Sequence, residues 1–517
     1  MAYLYSPEIT NKVVQMQALQ NLINIDKEQL VSVYLQIANG LIAQIRQGIL
    51  KPGSSLPSSR NLAKTLNVHR KTVIAAYDEL YAQSWVDVYP RKGIFVSKQL
   101  PDVSPRKLIT KAIDAMHAEK TLFYVDENKA SFLEMYVPNP EANLVFNDGF
   151  PDTRLVPVDL LIREYRRFAN YRFTPKYLMY GPEQGSENLR TELSRFLGET
   201  RGLNVSADNI LITKGAQMAM YLTAQVLLNK NDIVIVGEPG YDGANEVFEQ
   251  AGAQLALVPV DEHGIDLDAV EAICKKKKVR MLYVVPHHHH PTTVTLSSER
   301  RMRLLELAMK YRFAIIEDDY DFDFHYASSP ILPLASVDYY GNVVYIGSFC
   351  KTIAPAIRIG FMVAPKNLIT QVTRLRKLID RQGEQLLEEA MANLLKNGDI
   401  SRHLKRTNKI YHERRDLLCN LLKDRLSVYV NFKIPHGGFA IWLKYLNDVN
   451  PQMVSEKAAR MGLTISNGKS YFHDKKTVNN AIRLGFASLN PIEMKNGVDI
   501  LYKAVRSCQE PGKIRSE

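Results

Sequence analysis

Three side chains with complementary chemistry follow an apolar, strand-like run: Ser348, Lys351 and Arg358. Lys351 stands among Phe, Cys, Ile, Ala and Pro residues, a setting poorly placed for solvent. Because burial disfavours a charged ammonium, we expect its pKa to be lowered and its amine to be nucleophilic, as a Schiff base requires. The nearby hydroxyl and guanidinium could hold a phosphate. An aldehyde that carries a phosphate would match all three groups, although the segment alone also fits a solvated lysine beside a structural arginine.

Strand-like runs alternate with helical patterns beyond residue 141. This alternation predicts an α/β domain built on a largely parallel sheet with crossover helices. In such a sheet, ligand-binding groups gather beyond the carboxyl ends of the strands. The predicted strands are Ile210 to Thr213, Ile233 to Val236, Leu255 to Val258, Met281 to Val285, Ala314 to Ile316, Val343 to Ile346 and Gly360 to Ala364.

Two of these strand ends carry groups suited to a planar anion. Gly215 and Ala216 open a helix, where backbone N–H groups can face an anion, although many small-residue turns begin helices. Tyr241 follows the Ile233 strand and could stack on a flat heterocycle, although a lone tyrosine more often packs in a core. Each signal is weak by itself.

An acid-rich run, residues 317–321, directly follows a fully apolar strand. A carboxylate there can pair with a protonated pyridine nitrogen, and Tyr320 can bond a phenolic oxygen on the same ring. Acid-rich loops are usually solvated or bind metal, but no histidine-containing metal spacing accompanies this one. Taken together, the strand ends and Lys351 fit pyridoxal 5'-phosphate (PLP).

Residues 143 to 510 resemble the fold type I PLP enzymes of the aspartate aminotransferase group, on the motifs that contain these residues. The resemblance implies a large parallel-sheet domain and a smaller C-terminal α+β domain. It also implies that Lys351 forms the Schiff base, that Tyr241 stacks on the ring, and that Tyr320 bonds the ring oxygen. Asp318 would pair with the pyridine nitrogen, with Asp319 as the weaker choice.

The same resemblance implies where the cofactor phosphate and a substrate would lie. Tyr180, in a Met-Tyr-Gly-Pro run, would reach the phosphate from a second subunit, and Arg483 would clamp a substrate or effector carboxylate. The remaining phosphate-binding residues would be Gly215, Ala216, Ser348 and Arg358.

One stretch departs from the family pattern. Where the family has Asn-Pro-x-Gly, or related regulators have His-Gln-Phe-Pro-x-Gly, this chain has four histidines, residues 287–290, followed by Pro-Thr-Thr. His290 therefore occupies the position of an asparagine that commonly supports the ring oxygen, which puts reactivity there in doubt. A metal site at these histidines is an open but less favoured interpretation, and we predict none.

Composition indicates a folded protein of several units. The 517 residues are too many for one core, and 46% are hydrophobic and 23% charged. No apolar run is long enough to span a membrane and the first ten residues lack a signal-peptide pattern, which predicts a cytoplasmic protein. Four scattered cysteines favour neither a disulfide framework nor a zinc site.

Basic charge is concentrated near the N-terminus. The chain carries a net charge of +11, and residues 27–100 hold ten basic against four acidic side chains, as expected for a nucleic-acid-binding module. Apolar residues there recur with helical spacing in three segments, and the third segment opens with His69, Arg70, Lys71 and Thr72. A hairpin follows with a basic tip. This order predicts a helix-turn-helix with a wing.

Residues 30 to 97 resemble the winged helix of GntR-superfamily regulators. The resemblance implies that Arg60, Arg70, Lys71 and Thr72 contact DNA, and we add the wing-tip residues Arg91 and Lys92 as candidates. It rests on Gly53, Leu56-Pro57-Ser58-Ser59-Arg60, Leu62-Ala63, Val68-His69-Arg70-Lys71-Thr72-Val73, Ala76-Tyr77, Leu80 and Gly93-Ile94-Phe95-Val96. His69 in place of serine and the basic wing tip depart from the pattern. A basic module that binds protein is the alternative.

The order of the two regions resembles that of MocR-type regulators: an N-terminal winged helix-turn-helix fused to an aminotransferase-like domain. The predicted boundaries are 1–26 (extension), 27–100 (winged helix), 101–140 (linker), 141–390 (large domain) and 391–517 (small domain). We predict a PLP-dependent bacterial transcription regulator that senses PLP or a small amine or amino acid. The resemblance implies a head-to-tail homodimer on an operator with paired half-sites.

Two other functions stay open from the sequence. One is a working aminotransferase that carries a DNA-binding domain, since the Schiff-base lysine and its companions are retained. The other is a DNA-binding protein whose C-terminal region serves only for dimerisation. The sequence identifies neither the effector, nor the operator, nor whether the protein activates or represses.

Overall fold

The chain folds as two compact units, residues 1–126 and 127–517. The computed structural model describes residues 23, 25–26, 31–100, 121–126, 144–169, 174–326, 331–474, 477 and 479–509. Most of the predicted N-terminal extension and linker therefore lies outside the described residues. Within the described residues, no helix combines the length and the apolar character that crossing a membrane requires.

The first unit consists of three helices and a two-stranded antiparallel hairpin. The helices are Val33–Arg46, Ser59–Leu66 and Arg70–Ala82, and the strands are Val86–Tyr89 and Gly93–Val96. Val86 pairs with Val96 and Tyr89 with Gly93, which places the predicted basic tip at the turn of the hairpin. The apolar stripes of all three helices meet in one core, as their spacing predicts.

Local capping explains where the second and third helices begin and end. The Ser58 hydroxyl accepts from the backbone N–H of Asn61, and His69 Nδ1 accepts from the backbone N–H of Lys71. Asn67 adopts the left-handed conformation (φ 50°) between the two helices, which asparagine tolerates better than most residues. His69, which departs from the family pattern in sequence, thus supplies the helix cap that a serine would supply.

The second unit is built on an eight-stranded sheet in which all seven predicted strands are present. From one edge to the other the strands are Ile210–Thr213, Gly360–Val363, Val343–Ser348, Ala314–Asp318, Val279–Val284, Ile233–Glu238, Gln254–Asp261 and Gly264–Ile265. Gly360–Val363 and the short Gly264–Ile265 run antiparallel to their neighbours, and the other pairs of adjacent strands are parallel. The prediction of a largely parallel sheet is confirmed.

Helices cover both faces of this sheet and bury separate apolar clusters. The helices described in the second unit are Val158–Ala169, Thr174–Tyr177, Glu187–Arg201, Ala216–Leu227, Asp242–Gln250, Leu267–Lys276, Ser298–Tyr311, Phe349–Thr352, Lys366–Ile379, Gln385–Lys396, Asp399–Leu426, Pro451–Arg460 and Pro491–Gln509. The last two pack beside the short strand Leu463–Thr464. Short 3-10 turns are at Thr153–Leu155, Ala207–Asn209, Leu334–Ser336, Pro355–Ile357 and Lys469–Tyr471.

A smaller sheet lies in the C-terminal part of the second unit. Strands Val430–Phe432, Ala440–Tyr445 and Ala481–Gly485 pair in an antiparallel manner. Leu463–Thr464 pairs with Leu144–Val145, so chain from the start of the unit completes its C-terminal part. This is the α+β arrangement that the sequence resemblance implies.

We expect Leu80→Ala to destabilise the first unit by about 2–5 kcal/mol, because Leu80 is 0% exposed and truncation leaves a cavity in a single small core. Trp85, buried in the same core, reports its unfolding by fluorescence in a Trp442→Phe background, since the chain has two tryptophans. The matched control is Tyr81→Ala at the adjacent, 58% exposed position, which should change stability by about 0.5 kcal/mol or less. Equal effects of the two substitutions would contradict this packing.

Candidate functional site

A cavity of about 240 Å³ opens beyond the carboxyl ends of the parallel strands in the second unit. Its position follows from the fold, because the strand ends there are the points at which each chain segment leaves the sheet. Seven of the sequence-predicted residues line it: Ala216, Tyr241, Asp318, Tyr320, Ser348, Lys351 and Arg358.

Lys351 lies in the short helix that follows the strand Val343–Ser348. Its Nζ donates to the carbonyl oxygen of Gly149 at 2.7 Å and lies 3.8 Å from the ring centroid of Phe150. Burial lowers the pKa of this amine to about 8, and Asp148 opposes the shift without cancelling it. The amine is therefore more often uncharged near neutral pH than an exposed lysine, in the direction the sequence predicts.

Asp318 ends its strand with its carboxylate inside the cavity wall. Oδ2 accepts from the Tyr283 hydroxyl at 2.9 Å, whereas Oδ1 is buried and has no hydrogen-bond partner among the described residues. Burial raises the pKa of this carboxyl to about 7. A cationic N–H donor at Oδ1 would satisfy the buried oxygen and hold the carboxylate ionised, which is what a pyridinium nitrogen supplies.

Asp319, the weaker of the two candidates, has hydrogen-bond partners on both carboxylate oxygens. Its Oδ1 lies 2.8 Å from His287 Nδ1, and its Oδ2 accepts from the Tyr345 hydroxyl at 2.9 Å. The structure therefore favours Asp318, because Asp318 lines the cavity and has one oxygen without a partner among the described residues, whereas Asp319 is not a cavity-lining residue.

A second group of polar atoms, here called the Arg358 cup, lies at the other side of the cavity. It consists of the Arg358 guanidinium, the Ser348 hydroxyl and the N-terminus of the helix Ala216–Leu227. The Arg358 guanidinium donates to the carbonyl oxygen of Lys214 and packs so closely on Gly215 (φ 89°) that a Cβ there would meet Nη2 at 3.0 Å. Gly215 offers no side-chain cap to the helix Ala216–Leu227, so its first N–H groups are left for an anion. The cup fits a phosphate.

Arg483, predicted to clamp a carboxylate, is 1% exposed and does not line the cavity. Its Nε donates to the carbonyl oxygen of Asp148 at 3.2 Å, Nη1 to that of Pro291 at 3.2 Å, and Nη2 to the Tyr320 hydroxyl at 3.1 Å. The Tyr320 hydroxyl in turn donates to the carbonyl oxygen of His288 at 3.2 Å. The anionic partner that a buried arginine needs is the Asp148 carboxylate, at 3.7 Å.

The four consecutive histidines have four different partners. No group of three or more histidine, cysteine or acidic residues suited to hold a metal ion occurs among the described residues. His290 lines the cavity between Tyr241 and Tyr471, at centroid distances of 5.3 and 5.8 Å. The contacts are His287 with Asp319, His288 with Asp321, His289 with Thr292 and His290 with Asp148.

Tyr180 lies outside the cavity of its own chain. Its side chain is 72% exposed, and the Arg381 guanidinium lies 3.9 Å from its ring centroid. Its predicted contact with a second subunit's phosphate stays a prediction.

Sequence reasoning missed several cavity residues, chiefly Asp148, Phe150, Gln217 and Tyr283. The first two lie in an Asn-Asp-Gly-Phe turn about 200 residues before Lys351, and nothing local marks that turn as more than a loop. Tyr283 stands inside an apolar strand, where a tyrosine suggests core packing. The hydrogen bond from Lys351 Nζ to the Gly149 carbonyl oxygen shows that this turn lies at the cavity.

The predicted DNA-contacting residues lie at the starts of two helices and at the hairpin turn of the first unit. Arg60, Arg70, Lys71, Arg91 and Lys92 are exposed and Thr72 is half-buried. Arg70 Nε donates to the Ser59 hydroxyl at 3.2 Å, which links the start of the third helix to the start of the second. Helix starts of this kind can enter a major groove, and a basic hairpin turn can contact the backbone beside it.

Comparison with known proteins agrees with both units. Residues 161–501 match the family described as aminotransferase class I and II, and residues 33–96 match the bacterial regulatory proteins of the gntR family. The chain therefore belongs to the aminotransferase class I and II family and carries a GntR-type helix-turn-helix at its N-terminus. This combination is the MocR-type arrangement that the sequence predicts.

Individual relatives share one unit or both. The probable rhizopine catabolism regulatory protein MocR of Rhizobium meliloti is 26% identical over 491 residues, which cover 95% of this chain and 97% of the relative. LysN of Thermus thermophilus, an alpha-aminoadipate aminotransferase solved with N-(5'-phosphopyridoxyl)-L-leucine, matches with TM-score 0.66 and 26% identity over 71% of this chain and 92% of its own. An archaeal alanine:glyoxylate aminotransferase matches with TM-score 0.67 and 30% identity over 70% of this chain and 91% of its own.

We expect the lowered pKa of Lys351 to be visible in the pH dependence of stability. The folded pKa is about 8 and the ordinary value 10.5, so between these values the unfolded chain binds more protons and stability rises with pH. Cofactor-free protein should therefore gain up to about 3 kcal/mol relative to Lys351→Met between pH 8 and 10.5, measured by urea unfolding. Lys230→Met, at an exposed position, is the control. A pH-independent difference for Lys351→Met would contradict the assignment.

Proposed function

We propose that this protein is a PLP-dependent bacterial transcription regulator that senses PLP, a small amine or an amino acid in its aminotransferase-like domain. One observation carries the proposal: the same chain presents an exposed basic helix-turn-helix and a cavity where Lys351 faces groups suited to hold PLP. These groups are the partnerless Asp318 oxygen and the Arg358 cup. A DNA-binding unit and a small-molecule pocket on one chain are the parts that a ligand-controlled regulator needs.

The residues of the cavity divide the work of holding PLP. Lys351 would supply the amine for the aldehyde, Asp318 would pair with the protonated pyridine nitrogen, and Arg358 with the helix N-terminus would hold the phosphate. Tyr320 and Tyr241 both line the cavity, where Tyr320 would lie beside the ring oxygen and Tyr241 would supply an aromatic wall. When bound, PLP supplies an electrophilic carbon for amines and a ring that accepts electrons.

Regulation would pass from the cavity to DNA through a homodimer. We propose that a ligand binds one arrangement of the dimer more tightly than another and so shifts the population between them. Two winged helices on paired half-sites would report that shift as a change in operator binding. A head-to-tail homodimer, the contact of Tyr180 with the second subunit, and a cytoplasmic location beside the DNA belong to this proposal.

A working aminotransferase is the second candidate. The retention of Lys351, Asp318, Tyr320 and Arg358 in one cavity favours it, as does the likeness to solved aminotransferases. Steady turnover of an amino acid with a keto acid would support this second candidate over a sensor. A third candidate, a DNA-binding protein with a cofactor-free scaffold, requires a cavity that never takes up PLP.

We expect purified protein incubated with PLP to show absorbance near the edge of the visible range, and Lys351→Ala to lose it, because the Schiff base needs this amine. Exposed Lys230→Ala is the matched control and should retain the absorbance. Operator binding of Lys351→Ala in the absence of effector tests whether the first unit stays folded. Native protein without the absorbance would leave only the scaffold candidate.

We expect Arg70→Ala to weaken operator binding by about 1–3 kcal/mol and to lower its salt dependence by about one unit of slope or less, depending on whether Arg70 contacts a base or a phosphate. Fluorescence anisotropy with labelled duplex at several salt concentrations measures both quantities. Arg460→Ala, an exposed arginine of the second unit, should leave binding unchanged. The PLP absorbance should persist in both variants, and its loss in Arg70→Ala would contradict two separable modules.

A further inference from the structure

The amino-terminal edge of the large sheet, opposite to the cavity, carries a run of basic residues. Four consecutive lysines, residues 275–278, end the helix Leu267–Lys276 and lead into the strand Val279–Val284, and all four are exposed. The neighbouring strand Ala314–Asp318 is parallel to Val279–Val284 and is preceded by the exposed Arg312. Because parallel strands begin at the same edge of a sheet, these side chains lie together.

Two arginines line a common depression at this edge. Arg280 is exposed and lies at a register shift between the strands Ile233–Glu238 and Val279–Val284, where a bulge can redirect a side chain. Arg280 and Arg312 both line a depression of about 410 Å³. No acidic residue lines it among the described residues. Its other polar side chains are amides, which can also donate to an anion: Asn342, Asn367 and Gln371.

The acids on the helix Leu267–Lys276 already have basic partners. Glu271 accepts from Lys310 Nζ at 2.8 Å and lies 3.7 Å from Lys275 Nζ. Asp268 accepts from Arg303 Nη2 at 2.6 Å. Five basic side chains at this edge form no ion pair within the described part of the chain, and we call them the basic edge: Lys276, Lys277, Lys278, Arg280 and Arg312.

Two acids in the loops before neighbouring strands do not pair with the basic edge. The Asp232 carboxylate accepts from the backbone N–H of Asn229 at 2.8 Å, and the Asp338 carboxylate accepts from that of Val343 at 2.7 Å. The positive charges of the basic edge are therefore without a counter-charge from either loop.

A helix end does not account for this concentration of charge. A cation near a helix C-terminus is favourable by itself, which explains Lys275 and Lys276 in the last turn of their helix. Lys277 and Lys278 follow that helix, and Arg280 lies in a strand. Like charges this close repel one another, so a bound polyanion would stabilise the surface.

We propose that the basic edge binds duplex DNA through its phosphates and is a second DNA-contacting surface of this chain. The first unit carries a GntR-type helix-turn-helix, so duplex DNA is the polyanion that the protein meets. Duplex DNA carries one negative charge for about every 1.7 Å of its axis, which suits a dense group of basic side chains. Such contacts add affinity and salt dependence without reading sequence.

Two tyrosines beside the basic edge fit the same partner. Tyr339 and Tyr340 are exposed in the loop before the strand Val343–Ser348, which is the parallel neighbour of Ala314–Asp318. Tyrosine hydroxyls donate hydrogen bonds to DNA phosphates. The proposal goes beyond the proposed function, since it requires neither PLP nor an effector.

A triple variant of the full-length protein, Lys276→Gln with Lys277→Gln and Lys278→Gln, tests the proposal. Fluorescence anisotropy with a labelled random-sequence duplex of about 50 base pairs, roughly five helical turns, gives the binding constant K at several salt concentrations. We expect the slope of log K against log salt to become shallower by about 2 to 3 units, since each lost phosphate contact removes about 0.9. Affinity at low salt should fall about tenfold or more.

The matched control removes the same charge from another surface of the same unit: Lys405→Gln, Lys409→Gln and Lys423→Gln, all exposed on the helix Asp399–Leu426. It should change the slope by about half a unit or less, because charges far from the DNA are screened by salt. Replacing the three lysines of the basic edge by arginine should retain the native slope, since arginine also pairs with phosphate. All three variants should retain the absorbance of bound PLP, which shows that the second unit is folded.

The outcomes separate this proposal from the proposed function. Equal slopes for the triple glutamine variant and its control overturn the basic edge and leave the regulator intact, because Arg70→Ala tests the first unit separately. Native protein that binds no duplex overturns both.

A second arm of the experiment uses vesicles of phosphatidylcholine and phosphatidylserine, measured by flotation. Vesicle binding that the triple glutamine variant loses, together with an unchanged DNA slope, would assign the basic edge to an anionic lipid surface and overturn the proposal. Loss of the DNA slope in this variant alone supports it.

Discussion

The structure of the site depends on the burial of charged groups at one edge of a parallel sheet. A buried ionisable group destabilises the fold unless it is neutral or paired, and the cavity contains both solutions. Asp148 pairs with His290 and with Arg483, whereas burial shifts the pKa values of Lys351 and Asp318 toward 7. The paired groups resemble structural elements, and the unpaired ones are available for chemistry. The two groups with shifted pKa values are therefore the ones at this edge of the sheet that suit a cofactor.

The first unit meets a different constraint, because its function requires exposed positive charge on a small core. Each of its three helices buries one apolar stripe. The basic side chains lie at helix starts and at the hairpin turn, where they stay exposed and displace no apolar residue from the core. His69 contributes to both the fold and the basic surface. It caps the third helix through Nδ1, and it stands beside the exposed Arg70 and Lys71 in the chain. A substitution there would alter the helix start and the exposed basic side chains beside it together.

Much of the fold could be predicted because its signals are local. The seven predicted strands are present within a few residues of their predicted ends, since apolar runs between helical patterns have few other uses in an α/β chain. The helix-turn-helix could likewise be predicted from its apolar spacing and its helix caps. The reversal of Gly360–Val363 was not, because strand direction depends on which neighbours the segment joins and not on its own residues.

The amino-acid sequence by itself determined the two-module order, the candidate Schiff-base residue Lys351 and the group of residues that follow the strand ends, because each is encoded in a short stretch with a local physical signal. Only the tertiary structure placed Asp148 and Phe150 against a lysine about 200 residues away and tied Arg483 to groups within the chain. Each of these contacts joins side chains that are far apart in the sequence. In a buried site such contacts depend on long-range packing, which no short stretch of sequence encodes.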